Sequence, residues 1–155
     1  MKFYVLLLFL AFGKLGSSIE FEDCGSEYYL DEVEIEGCTE LPCCLFLGEQ
    51  HRINMKVFSS FRSENLHQQS YLVIKTIQVE LEVTPDDLCD QVTCPVSNDY
   101  DVSFSAVMNV NQSFVPLEAD LYWKIRNEEG LAVLCMRTDV ILRDRNKPED
   151  NEMCK

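Results

Sequence analysis

Hydrophobic and polar residues alternate with a period of two over most of this chain, the spacing that sends successive side chains to opposite faces of a strand. Residues 72–83 read LVIKTIQVELEV, which predicts one half-buried strand with Val73, Ile77, Val79, Leu81 and Val83 on one face and Gln78, Glu80 and Glu82 on the other. Residues 100–110, YDVSFSAVMNV, set Val102, Phe104, Ala106, Met108 and Val110 against Asp101, Ser103, Ser105 and Asn109. Ala119, Leu121, Trp123 and Ile125 alternate with Glu118, Asp120, Lys124 and Arg126, and an apolar segment from Leu131 to Leu142 follows the turn-forming NEEG. Earlier, Val33 and Ile35 alternate with Glu32, Glu34 and Glu36, and Ile53, Met55 and Val57 with Arg52, Asn54 and Lys56.

Short alternating strands with turn signals between them, and no amphipathic helix, predict an antiparallel β-sandwich or barrel. Phe58, Leu81, Phe104, Met108 and Trp123 fall on the predicted inner face. Such large side chains either fill one another's space or line an apolar cavity between splayed sheets, and alternation alone does not separate the two.

The first eighteen residues, MKFYVLLLFLAFGKLGSS, stand outside the pattern. A lysine, an apolar run and a small-residue stretch have the layout of a secretory signal peptide, with cleavage after Ser18. The run is shorter than the about 20 residues that a membrane span needs, so a soluble exported protein is expected. Residues 19–144 then form one domain, and residues 145–155 a polar tail that is disordered unless something holds it.

Export places Cys24, Cys38, Cys43, Cys44, Cys89, Cys94, Cys135 and Cys154 in an oxidising compartment, where an even count reads as disulfides. A mixed zinc site completed by His51 or His67 is the weaker alternative. The formal net charge of −14, made two units more negative by loss of Lys2 and Lys14 with the leader, argues against nucleic acid and anionic membrane surfaces as partners. No G-x-S-x-G elbow is present, and His51 and His67 sit in no recognisable triad, so both read as surface residues and no enzyme, metal or cofactor is expected.

The cysteine neighbourhoods FEDCGS at 21–26, GCTELPC at 37–43, LCDQVTCPV at 88–96 and LAVLCMRTDVILRD at 131–144, with GEQ at 48–50 and Trp123, carry a resemblance. In order and spacing they resemble the ML-domain (MD-two-related lipid-recognition) family, and within it the sterol-carrier branch and its arthropod relatives, the group-two mite allergens. The resemblance spans residues 21–144. It implies an immunoglobulin-like β-sandwich whose apolar pocket takes a sterol, fatty acid or lipid tail, with disulfides Cys24–Cys135, Cys38–Cys43 and Cys89–Cys94. Counting from Cys89, Cys94 and Trp123 carries the family's pocket mouth onto Leu81, Val110 and Phe114, with Phe104, Met108 and Trp123 as further ligand-binding candidates; ordinary core packing is the competing reading for these positions.

This chain departs from the carrier branch in two places. Its Pro-rich portal segment is replaced by VELEVTPDD, which predicts an acidic rim of Glu80, Glu82, Asp86 and Asp87. Its glycosylated Asn aligns with Asn54, which lies in no sequon, whereas Asn111 in NQS does. Plain secretion is therefore the expected address, with the lysosomal lumen as the alternative.

The function implied is a monomeric, non-catalytic carrier of one apolar small molecule (sterol, fatty acid or semiochemical) that meets a membrane or receptor at delivery. The alternative is a microbial-lipid recognition protein acting with an immune receptor. The family pattern leaves Cys44 and Cys154 over. A bond between neighbours Cys43 and Cys44 would be strained, and the tail is long enough to reach, so a fourth bridge, Cys44–Cys154, is expected.

Overall fold

The computed structural model describes residues 18–147 and Cys154. Residues 1–17 of the expected signal peptide (1–18), and residues 148–153 and 155 of the expected polar tail, fall outside the described residues. Nine strands are seen among those described: β1 Glu22–Asp23, β2 Tyr29–Ile35, β3 Cys43–Phe46, β4 Gln50–Ser59, β5 His67–Ile74, β6 Ile77–Thr84, β7 Tyr100–Asn109, β8 Leu117–Arg126 and β9 Ala132–Arg143. One 3-10 turn, Leu88–Asp90, is capped by Asp87, whose carboxylate accepts from the Cys89 N–H.

The strands run in the order β1-β9-β8-β5-β6-β7-β4-β2, with β3 also on β9. All pairs are antiparallel except β3–β9, which is parallel. The two layers share β6: Ile77–Leu81 pairs with β5 in one sheet, and Glu82–Thr84 pairs with β7 in the other. One side of the sandwich is thus a continuous corner. The opposite side is closed by the N-terminal stretch, where the Ile19 N–H reaches the Val33 carbonyl on β2 at 2.9 Å, the Glu20 carbonyl accepts from Thr138 on β9, and β1 pairs with β9.

Alternation builds the layers as expected on β7 and β8, whose inward residues Phe104, Met108, Leu121, Trp123 and Ile125 are all buried. Two expectations need correction. Residues 72–83 are a hairpin rather than a single strand: β5 ends at Ile74, β6 begins at Ile77, and Lys75 takes a positive φ of 59° in the turn. Pairing of Ile74 with Ile77 and of Leu72 with Val79 puts those four on the inner face, so Val73 faces outward. Ile77 sits at the hairpin tip and is 64% exposed. Phe58, read as an inner residue, is exposed on β4, because its even position shares a face with Arg52, Asn54 and Lys56.

Most buried polar side chains are paired, as burial requires, Asn65 Oδ1 and Arg143 Nε being the exceptions among the described residues. The Trp123 indole N–H donates to Gln68 Oε1 at 3.1 Å, the Gln68 amide donates in turn to the Pro85 carbonyl, and the Ser70 hydroxyl donates to the Tyr122 carbonyl. The structure joins Cys24 to Cys135, Cys38 to Cys43, Cys44 to Cys154 and Cys89 to Cys94, with Cα separations of 5.0, 5.1, 5.8 and 5.4 Å. This uses every cysteine and leaves none for a metal.

Candidate functional site

The loop of residues 110–116 joins β7 to β8 and closes one end of the sandwich. It is tied to the β3–β4 turn by a pair of backbone bonds, Gly48 N–H to the Val110 carbonyl at 2.8 Å and Val110 N–H to the Glu49 carbonyl at 3.0 Å. Gly48 needs its φ of +76°, and a side chain there would run into Gln112.

Two hollows meet beneath this loop. One, of about 440 Å³, is lined by Gly48, Glu49, Val79, Glu80, Leu81, Glu82, Asn109, Val110, Asn111, Gln112 and Phe114. The other, of about 210 Å³, is lined by Leu72, Ile74, Val79, Ser113, Phe114, Val115, Leu117 and Leu142. Val79 and Phe114 belong to both, so the half-buried Phe114 ring stands between them. The volumes fall in or just below the range of small-molecule sites. A hollow of about 480 Å³ on the outer face of the β5–β8–β9 sheet mixes Leu41, Pro42, Val73, Ala119 and Val140 with Lys75, Glu118, Asp120 and Asp139, and contains none of Leu81, Val110 and Phe114.

Leu81, Val110 and Phe114 therefore come together at one hollow. Phe104, Met108 and Trp123 do not line either one, and with exposures of 3%, 0% and 0% they lie deeper in the packed interior. A ligand would touch them only if the sheets parted further. The acidic rim is also narrower than expected. Glu80 and Glu82 border the larger hollow, but Asp86 and Asp87 lie beside His67 and Gln68, at the other end of β5. Glu49 joins the rim, its carboxyl held below the usual range chiefly by its hydrogen bonds from Arg145, at 2.5 and 2.9 Å. The Arg145 guanidinium also lies 3.9 Å from the centre of the Phe46 ring.

His51, read from the sequence as a surface residue, is also misplaced. It lies on β4 in phase with Ile53 and Met55, opposite Met108, and is buried at 6% exposure. Its Nε2 accepts from the Phe46 N–H at 3.1 Å, which anchors the turn carrying Gly48 and Glu49. Burial pushes the imidazole pKa below its ordinary value, although a backbone bond at Glu36 and the charge of Glu49 pull the other way. The signal was present in the sequence, since position 51 shares the parity of the buried face.

Comparison with known proteins places this geometry. A family model described as ML domain matches residues 18–142. NPC intracellular cholesterol transporter 2 of Mus musculus is 24% identical over 138 residues, covering 88% of this chain and 93% of that protein. Mite group 2 allergen Pso o 2 of Psoroptes ovis is 26% identical over 127 residues, covering 82% and 87%. Among solved structures, a Niemann-Pick type C2 protein from the Japanese carpenter ant has the same fold, with a TM-score of 0.72, 22% identity, and coverage of 80% of this chain and 99% of that one.

Proposed function

The chain belongs to the ML-domain family, and from that premise we propose that it is a lipid-binding protein that holds one apolar molecule between its sheets and delivers it. The observation that carries this reading is the pair of hollows meeting at Phe114, since an interior reached beside one half-buried ring is a place for an apolar guest. The relative named above as a cholesterol transporter supports the ligand class in its broad form: a sterol, a fatty acid or another apolar small molecule. Hiding about 300 to 500 Å² of apolar ligand surface is worth roughly 8 to 12 kcal/mol before ordering and association costs.

The ligand would lie against Leu72, Val79, Leu81, Val110 and Leu142, with Phe114 as a lid and Phe104, Met108 and Trp123 as the floor. Four disulfides and a leader of signal-peptide composition support secretion. In this reading the protein acts as a monomer that passes the apolar molecule on at a membrane or receptor. Among the described residues no helix is long and apolar enough to cross a membrane.

Displacement of a fluorescent fatty-acid analogue tests the reading: about one probe should bind per chain at micromolar affinity or tighter. Phe114→Asp should abolish binding with the fold intact, because a half-exposed carboxylate can face water in the empty protein yet opposes an apolar guest. Absence of competition by any sterol, fatty acid or similar apolar molecule would remove the carrier function. Val110→Asp is the poorer variant, since Val110 is 2% exposed and its carboxylate would be buried.

A further inference from the structure

The two openings beside Phe114 differ in chemistry. On one side the rim carries Glu49, Glu80 and Glu82, and an apolar molecule passing over it would strip water from carboxylates. On the other side the lining is Leu72, Ile74, Val79, Val115, Leu117 and Leu142, with the Ser113 hydroxyl the one side-chain polar group. Two large apolar residues stand exposed at that side: Val115 at 62%, and Ile77, the register partner of Ile74, at 64%. Single exposed apolar residues need no explanation, but these two flank an apolar opening.

Asn111 stands on the acidic side. It begins the sequon Asn111-Gln112-Ser113 and is exposed. Its Oδ1 accepts from the Ser113 N–H at 2.8 Å and its carbonyl from the Phe114 N–H at 3.2 Å, which folds the sequon into a tight turn. Among the described residues its Nδ2 donates to no protein group. A glycan at this nitrogen is therefore compatible with the folded loop.

We propose that Asn111 is an N-glycosylation site whose glycan shields the Glu49–Glu80–Glu82 side of Phe114, so that the ligand passes on the other side, between the β5–β6 hairpin tip and Val115–Leu117. The route rests on the lipid-binding function above; the modification does not. In the transfer, Asn111 Nδ2 bonds to the anomeric carbon of an oligosaccharide carried on a polyprenyl pyrophosphate. The bond from that carbon to the pyrophosphate oxygen breaks, and one Nδ2 proton is lost.

The test uses the full chain secreted from a eukaryotic host. Peptide-N-glycosidase in heavy-oxygen water should remove one glycan and leave a labelled aspartate at position 111; a secreted chain with unmodified Asn111 overturns the site. For the route, Lys75→Asn with Ile77→Thr writes a second sequon at the hairpin tip, where the positive φ of 59° suits asparagine. Uptake of a fluorescent fatty-acid analogue should change by less than about twofold when the native glycan is removed from the wild type, yet be about tenfold slower in the variant carrying the tip glycan than in the same variant after that glycan is trimmed. A large gain on removing the native glycan, or equal rates in every form, overturns the route. If the deglycosylated wild type takes up no probe at all, the lipid-binding function fails while the mass measurement still decides the modification.

Discussion

Acidification should destabilise this protein through His51 in a way that one substitution removes. The buried imidazole is neutral and accepts from the Phe46 N–H, so a proton on Nε2 would set two donors against each other and place a charge in the core. Its folded pKa lies below the unfolded value of 6.5, with desolvation the cause. The sign follows: above pH 6.5 neither state binds the proton, and below it the unfolded chain does while the folded one resists, so stability falls as pH falls. One proton bound only by the unfolded chain costs at most about 1.4 kcal/mol at pH 5.5, and the loss stops growing once pH drops below the folded pKa. The neighbours facing the ring, Glu36 and Glu49, oppose the shift and make the realised loss smaller. Urea denaturation followed by Trp123 fluorescence, compared between wild type and His51→Gln from pH 7.5 to 5.5, isolates it, because His67 and the carboxylates are common to both. Glutamine still offers an acceptor to Phe46 and does not titrate. The expected result is a wild-type curve that falls more steeply than the variant's over that range, by no more than that bound. Parallel curves, or a wild type that gains stability toward pH 5.5 relative to the variant, would refute the reasoning.

Three further outcomes are open to direct measurement. Gln68→Leu leaves the buried Trp123 indole N–H and the Pro85 carbonyl without their partner and should cost about 1 to 3 kcal/mol per orphaned group, read by denaturation. Gly48→Ala forces a side chain into the left-handed region and against Gln112, and should cost about 1 to 2 kcal/mol and loosen the turn that holds Val110, visible as faster amide exchange at Gly48 and Val110. Cys44→Ser with Cys154→Ser should leave probe binding unchanged and open the tail to protease; because Cys24–Cys135 already closes most of the chain, the bridge adds a loop of roughly 40 residues, worth about 4 kcal/mol in the chain-entropy model.

What could be read in the sequence was parity, and what escaped it was place. On β7 and β8 every residue of one parity is apolar, so the face and the layer follow directly. In LVIKTIQVELEV the same rule failed, because the apolar residues continue across Lys75–Thr76 and the turn carries neither glycine nor proline to mark it. Phe58 was misplaced by letting size override parity, and His51 by letting polarity override it. Strand β3 is too short for alternation to be detected in CCLF; it is held against β9 by its parallel ladder, while the Cys38–Cys43 corner and the bond from Phe46 to His51 fix its two ends.

The cavity is a property of a third kind. Its position depends on where β6 leaves one sheet for the other, between Leu81 and Glu82, and on Phe114 being carried by a loop rather than a strand. Neither appears as a period in the chain. An alternating strand that changes sheets still alternates, so Val79, Leu81 and Val83 look equivalent in sequence, although Val79 and Leu81 border hollows and Val83 packs against the core. Whether Phe104, Met108 and Trp123 meet a guest is likewise set by distance between layers, which side-chain patterns within each strand do not encode; as the layers stand these three line neither hollow. For this fold, parity therefore tells which residues a ligand could meet, and the loop closing the end decides which of them it reaches first.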